Sequence, residues 1–155
     1  EVLPCGHGAP PGAAAPSATY AADCLRAVEA LIDNVQVWNR ERFEKGEAPL
    51  RFGMGIGSGE IIFGVVGDKD RLEFTTIGDA VNLSAKLEKH TKKVDAVAVT
   101  TADTLREAVA QGYAAKVPMT TLVDQTVGGV TNPISLVSVD IFPDGVAKNE
   151  FRKAA

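Results

Sequence analysis

Between Phe74 and Glu88 a strand, a Gly-Asp turn and an amphipathic helix follow one another without a gap. The run is Phe74-Thr75-Thr76-Ile77-Gly78-Asp79-Ala80-Val81-Asn82-Leu83-Ser84-Ala85-Lys86-Leu87-Glu88. No other part of the chain constrains the fold as strongly. The β-branched and aromatic residues before Gly78 read as a strand. After Asp79 the apolar positions take helical spacing. Residues four apart on a helix share a face, so Asn82 and Lys86 present an amide and a cation to one side.

The flanking sequence supplies elements for this junction to pack on. Ser17 or Thr19 can cap a helix that runs from Tyr20 to about Phe43. Along it Cys24, Leu25, Val28, Leu31, Ile32, Val35 and Trp38 recur at helical spacing, opposite Arg26, Glu29, Asp33, Arg40 and Glu44, and Gly46 and Pro49 end it. Arg51–Ile56 and Glu60–Val66 read as strands joined by a hairpin turn at Gly57-Ser58-Gly59. Leu72–Ile77 is a third strand, and Asp79, as N-cap, opens a helix to about His90. His90 then reads as a helix-end histidine favoured by the dipole. Val94–Thr100 is a buried-type strand, Thr101 caps a helix to about Ala110 that Gly112 stops, and Ile134–Phe142 is a closing strand. Helices mixed with antiparallel hairpins predict an α+β sheet with helices on one face. Residues 1–16, dense in Pro, Gly and Ala, are expected to be irregular or disordered; 17–142 form one domain; 143–155 are a polar, mobile tail.

Composition narrows the classes of function. In 155 residues the apolar fraction is 45% and the charged fraction 23%, ordinary for a globular domain with its own core. A net charge of −4 argues against nucleic acid as a partner. No run of roughly 18 apolar residues offers a membrane span, and no basic start with an apolar run reads as a signal peptide. Two cysteines, Cys5 and Cys24, make no disulfide framework, which suits a reducing, cytoplasmic setting. Cys5 and His7 in a Pro/Gly stretch do not make a metal site. The glycines at 53, 55, 57 and 59 alternate along strands with no helix directly after them, so they are not a phosphate loop.

Two segments carry a resemblance. Leu50-Arg51-Phe52-Gly53-Met54-Gly55-Ile56-Gly57-Ser58-Gly59-Glu60 is one; Phe63-Gly64-Val65-Val66-Gly67 followed by Phe74 to Asn82 is the other. Together they resemble class III nucleotidyl cyclases, which make cyclic AMP or cyclic GMP from the nucleoside triphosphate. The likeness runs from about Tyr20 to Asp140. It implies a ferredoxin-like α+β domain that pairs head to tail, with active sites at the dimer interface. One side of such a site supplies two Asp residues that hold two divalent ions, Mg²⁺ or Mn²⁺. The other side reads the base and stabilises the transition state.

Carried over residue by residue, the resemblance implies that Asn82 orients the ribose and transition state. Lys86 falls where the family usually has Arg, the residue that neutralises charge on the reacting phosphate. Thr75 falls at the base-reading position; bacterial adenylyl cyclases often have Thr or Asp there and guanylyl cyclases often Cys. ATP is therefore the expected substrate, ahead of GTP. The family's paired Asp residues and its adenine-reading Lys precede the long helix, where residues 1–16 contain neither Asp nor Lys. On this reading the first strands of the domain are missing and the metal ligands are not in this chain. They would come from an intact cyclase partner or a missing front segment, and a homodimer or such a mixed pair is the expected assembly. The chain would be cytoplasmic, alone or as the cytoplasmic domain of a larger membrane-bound protein. Two rival expectations are a cyclase-like regulatory or interaction module without catalysis, and a truncated fragment.

Overall fold

The computed structural model describes residues 2–5, 17–67 and 72–139. In chain order the elements are β1 (Val2–Cys5), α1 (Tyr20–Glu44), β2 (Met54–Ile56), β3 (Ile61–Gly67), β4 (Leu72–Ile77) and α2 (Asp79–Val94). They continue with β5 (Ala98–Thr101), α3 (Ala102–Ala110), β6 (Met119–Gln125) and β7 (Ile134–Val139). The class is α+β, as the pattern of elements predicts. A four-stranded sheet has the order β2-β5-β7-β6, with β2 parallel to β5 and the other pairs antiparallel. A three-stranded antiparallel sheet has the order β1-β3-β4.

Alternation along β5 sorts the core. Successive strand residues point to opposite faces. Ala98 packs with Ile56, Val139 and Ala108 of α3, and with Ala21, Leu25, Val28 and Ile32 of α1. Its neighbour Val99 packs the other way, with Leu136, Val127 and Leu87 of α2. The helices therefore cover both faces of the four-stranded sheet, α1 and α3 on one and α2 on the other. This corrects the expected one-sided arrangement. Ala98 and Val99 are both fully buried, and a strand buried on two faces needs a cover on each.

The expected hairpin at Gly57-Ser58-Gly59 is also corrected: β2 and β3 belong to different sheets. The physical cause is α2. A side chain at Gly55 would sit 2.1 Å from the Ser84 carbonyl oxygen and 2.3 Å from the Glu88 amide, so bare backbone runs directly beneath the helix. The Gly57 N–H then donates to Ser84 Oγ at 3.0 Å. The contact commits the chain to passing α2 before it can turn into β3, and Arg51–Gly53 fall outside the short β2.

Within 1–16, Val2–Cys5 forms a strand on β3 rather than irregular chain; the rest of that stretch and 140–155 lie outside the described residues. Along α1 the buried face is Leu25, Val28, Glu29, Ile32, Val35 and Asn39, while Cys24, Leu31 and Trp38 are exposed. Polar partners rotate the face. Glu29 accepts from the Tyr113 hydroxyl at 2.7 Å and the Lys116 N–H at 2.8 Å, and Asn39 exchanges two bonds with the Leu50 backbone. Thr19 takes the cap position of α1, but its hydroxyl donates to Asp23 instead of accepting from the backbone. Thr101 does cap α3, accepting from the Thr104 N–H at 3.0 Å. Thr101→Ala is expected to cost about 1 kcal/mol, read as a lowered urea midpoint with unchanged slope.

Candidate active site

The start of α2 is built by the turn out of β4. Gly78 is its N-cap, and Asp79 is its first helical residue rather than the cap that the sequence suggests. A side chain at Gly78 would approach the Glu60 carbonyl oxygen to 2.7 Å, so the cap position has no room for a capping group. The Asp79 carboxylate sits instead in the first turn, where the helix dipole favours it.

An open cleft of about 1230 Å³ lies along this helix. Asn82, Leu83 and Lys86 form one wall and Ile77 to Ala80 its end. Ser58 to Ile62 and Gly129 to Asn132 close the other sides. Asn82 is exposed and Lys86 half-buried, so the predicted pair does reach one space. Among the described residues the Asn82 carboxamide makes no hydrogen bond and is free to meet a ligand. The Lys86 ammonium donates to the Gly129 carbonyl oxygen at 2.5 Å. Thr75 is the member the structure does not bring to the cleft. It pairs with Gly64 on the face of β4 that also carries Ile77. Ile77 lines the cleft, and Thr75 lies two residues along the strand, about 7 Å away.

Sequence reasoning missed the opposite walls. Ser58 is pinned to α3 by its hydroxyl's contact with Thr104 Oγ1 at 3.0 Å, and this fixes the approach of Gly59 and Glu60. Thr131 and Asn132 come from the β6–β7 connection. The turn-forming run Val127-Gly128-Gly129-Val130-Thr131-Asn132-Pro133 was the signal for it.

His90 is not at the end of α2, which runs on to Val94. It is 5% exposed, and neither ring nitrogen has a hydrogen-bond partner among the described residues. Burial, helped by the Lys93 charge, pushes its pKa below the ordinary 6.5; the nearby Gln125 side chain pulls weakly the other way. The unfolded chain therefore takes up a proton at His90 before the folded one does, and stability is lost as pH falls through 6.5 towards the lowered folded value. Urea midpoints at pH 7.5 and 5.0 should differ more for the native chain than for His90→Leu; equal differences would contradict this.

Among the described residues no three His, Cys, Asp or Glu side chains converge as a metal site. Asp79 and Glu60 both border the cleft.

No family model matches the sequence. It is 35% identical over 71 residues to adenylate cyclase 1 of Rhizobium meliloti (strain 1021), covering 46% of this chain and 10% of that protein. It is 46% identical over 41 residues to the terminal-differentiation-specific adenylate cyclase of Dictyostelium discoideum, covering 26% of this chain and 2% of that one. The chain thus spans a tenth or less of the length of these relatives. In fold it is similar to the adenylyl cyclase CyaB from P. aeruginosa, with a TM-score of 0.65 at 19% identity over 88% of this chain and 67% of that one. It is also similar to the guanylyl cyclase Cya2, with a TM-score of 0.59 at 21% identity over 88% and 66%. Sequence and fold agree in their direction: the matched segments and the fold are both similar to those of class III nucleotidyl cyclase catalytic domains. Among the described residues no helix is long and apolar enough to cross a membrane.

Proposed function

We propose that this domain supplies the transition-state half of an adenylyl cyclase site, converting ATP to cyclic AMP and pyrophosphate at a dimer interface. The observation that carries the reading is the convergence of Asn82 and Lys86, one helical turn apart, on a single open cleft. In the reaction the ribose 3′-oxygen attacks the α-phosphorus in line. The bond from that phosphorus to the oxygen of the departing pyrophosphate breaks, and the hydroxyl proton is released. Such a transfer depends on positioning and on stabilising charge. The Asn82 carboxamide, a donor and an acceptor with no hydrogen bond among the described residues, holds the ribose so that its 3′-oxygen faces the phosphorus. The Lys86 ammonium stabilises negative charge that grows on the phosphate oxygens. It does so as a point charge, without the two-pronged geometry of an arginine. Thr75, reached along the Ile77 face of β4, offers one hydroxyl to the base edge and favours adenine over guanine.

The carboxylates for Mg²⁺ or Mn²⁺ come from an intact cyclase chain paired with this one, in the cytoplasm or on the cytoplasmic side of a membrane. ATP and GTP offered separately to that assembly test the reading. Cyclic AMP should form at least about tenfold faster than cyclic GMP, in keeping with one lost base contact of roughly 1.4 kcal/mol. Equal rates would remove Thr75 from the site. A second reading, a cyclase-like module that binds nucleotide without consuming it, is favoured by the lack of a converging carboxylate set among the described residues and by Lys86 in place of Arg. Triphosphate that binds and is recovered intact from the assembly would establish it.

A further inference from the structure

The β6–β7 connection carries a turn whose construction the reaction scheme leaves unexplained. The Val130 N–H donates to the Val127 carbonyl oxygen at 3.0 Å. The third residue of this four-residue turn, Gly129, has φ of +78°, and Gly128 is not in the left-handed region. That combination is a type II turn, whose third position calls for glycine. Both ends are staked in the core. Val127 is 1% exposed in the cluster with Leu87, Val99 and Leu136, and Val130 packs against the same cluster. The free tip of the turn faces α2, and its Gly129 carbonyl oxygen receives the Lys86 ammonium. The fit is close: a side chain at Gly129 would lie 3.1 Å from Lys86 Cε and 3.5 Å from Nζ.

The geometry points to the Val127–Val130 turn, through the Gly129 carbonyl, as a positioning device for Lys86 towards a nucleoside triphosphate. This rests on the reading of Lys86 given above. A lysine carries its charge on a flexible stem, and the order that a guanidinium has built in must come from elsewhere. An ammonium has three N–H donors. The carbonyl engages one, and two are left to turn towards phosphate oxygens in the cleft. The carbonyl is neutral, so it fixes the ammonium without cancelling its charge as a carboxylate would. Because the turn is anchored at both ends, the ammonium is held before any ligand arrives, and less rotamer freedom remains to be lost when it does.

Two measurements test this. The first is the ¹⁵N–¹H spectrum of the lysine ammonium groups in the nucleotide-free chain, with Lys86→Arg used to assign the signal. The expected result is a resolved Lys86 signal with protected protons, which moves into the bulk lysine envelope in Gly129→Asn. Asparagine tolerates the left-handed backbone, but its Cβ presses on the Lys86 stem. A Lys86 signal indistinguishable from the other lysines in the native chain overturns the proposal, whether or not any variant folds. The second is a double-mutant cycle on ATP turnover in the assembly. Gly129→Asn should lower kcat about tenfold with KM changed less than twofold, and should have no further effect on top of Lys86→Ala. An equal fall in both backgrounds would show that the turn acts on something other than Lys86. An assembly that binds ATP but never turns it over sinks the catalytic reading, while the ammonium spectrum still decides the tether.

Discussion

Asn82→Ala is expected to lower turnover about 100-fold or more, with KM moved less than about threefold, wherever this chain completes a cyclase site. The size follows from where the carboxamide acts. A group that orients the attacking ribose and strengthens its contact in the transition state loses kcat when removed. A group that only holds the ground state would raise KM instead. The structure makes the test clean. Asn82 is an exposed residue in the first turns of α2 whose side chain has no hydrogen bond among the described residues, so the fold loses nothing with it. Alanine is also the better helix former. Steady-state kinetics together with a thermal melt check the expectation. A full-strength enzyme with Asn82→Ala would remove the residue from the site. A lowered melting temperature would show that it had a structural partner instead.

Gly55→Ala is expected to destabilise the domain by about 3 kcal/mol or more, a fall of roughly 10 °C in melting temperature for a chain of this length. Overpacking commonly costs less because the obstructing atoms are side-chain ends that move. Here the added methyl would meet the Ser84 carbonyl oxygen at 2.1 Å, the Glu88 amide at 2.3 Å and the Leu87 carbonyl carbon at 2.9 Å. Those atoms are the hydrogen-bonded backbone of α2. Relief requires lifting the whole helix from β2, which uncovers Leu87 and Val99 and displaces Asn82 and Lys86 together. Stability and any activity should therefore fall in the same variant. For stability, Gly128→Ala is the control, since nothing lies within 4 Å of its added methyl. A loss below about 1 kcal/mol for Gly55→Ala, measured by denaturant titration, would mean that α2 rides more loosely on the sheet than the packing implies.

The contrast between these residues explains what the sequence could and could not reveal. The β4–α2 junction was legible because it is local: strand residues, Gly-Asp, then helical spacing, all within one short run. β3, β4 and α3 were legible for the same reason, and Thr101 capped as its type suggests. Sheet membership was not. Glycines at 55, 57 and 59 look like hairpin residues, and only the tertiary approach of α2 shows why bare backbone is needed there. β6 escaped notice because its pairing with β7 shifts between Leu122 and Gln125, where Asp124 is left-handed, and this breaks the alternation a strand should display. The buried face of α1 was misjudged by part of a turn because Glu29 and Asn39 are inside, each satisfied by partners far along the chain or beyond the helix. In the cleft, Asn82 and Lys86 followed from helical spacing and the family resemblance. The turn that holds Lys86 belongs to a connection more than 40 residues away, which no local pattern links to α2.

The central claim is that Asn82 and Lys86 complete a cyclase site whose metal carboxylates belong to another protomer. The most direct measurement is complementation. This chain is mixed with a class III cyclase domain that keeps its two metal-binding Asp residues but has lost its own transition-state Asn and Arg, and cyclic AMP formation from ATP is followed in the mixed dimer isolated by size exclusion. The expected result is activity in the mixture that neither partner has alone, abolished by Asn82→Ala in this chain. A mixed dimer that forms and stays inactive, or one equally active with Asn82→Ala, would contradict it.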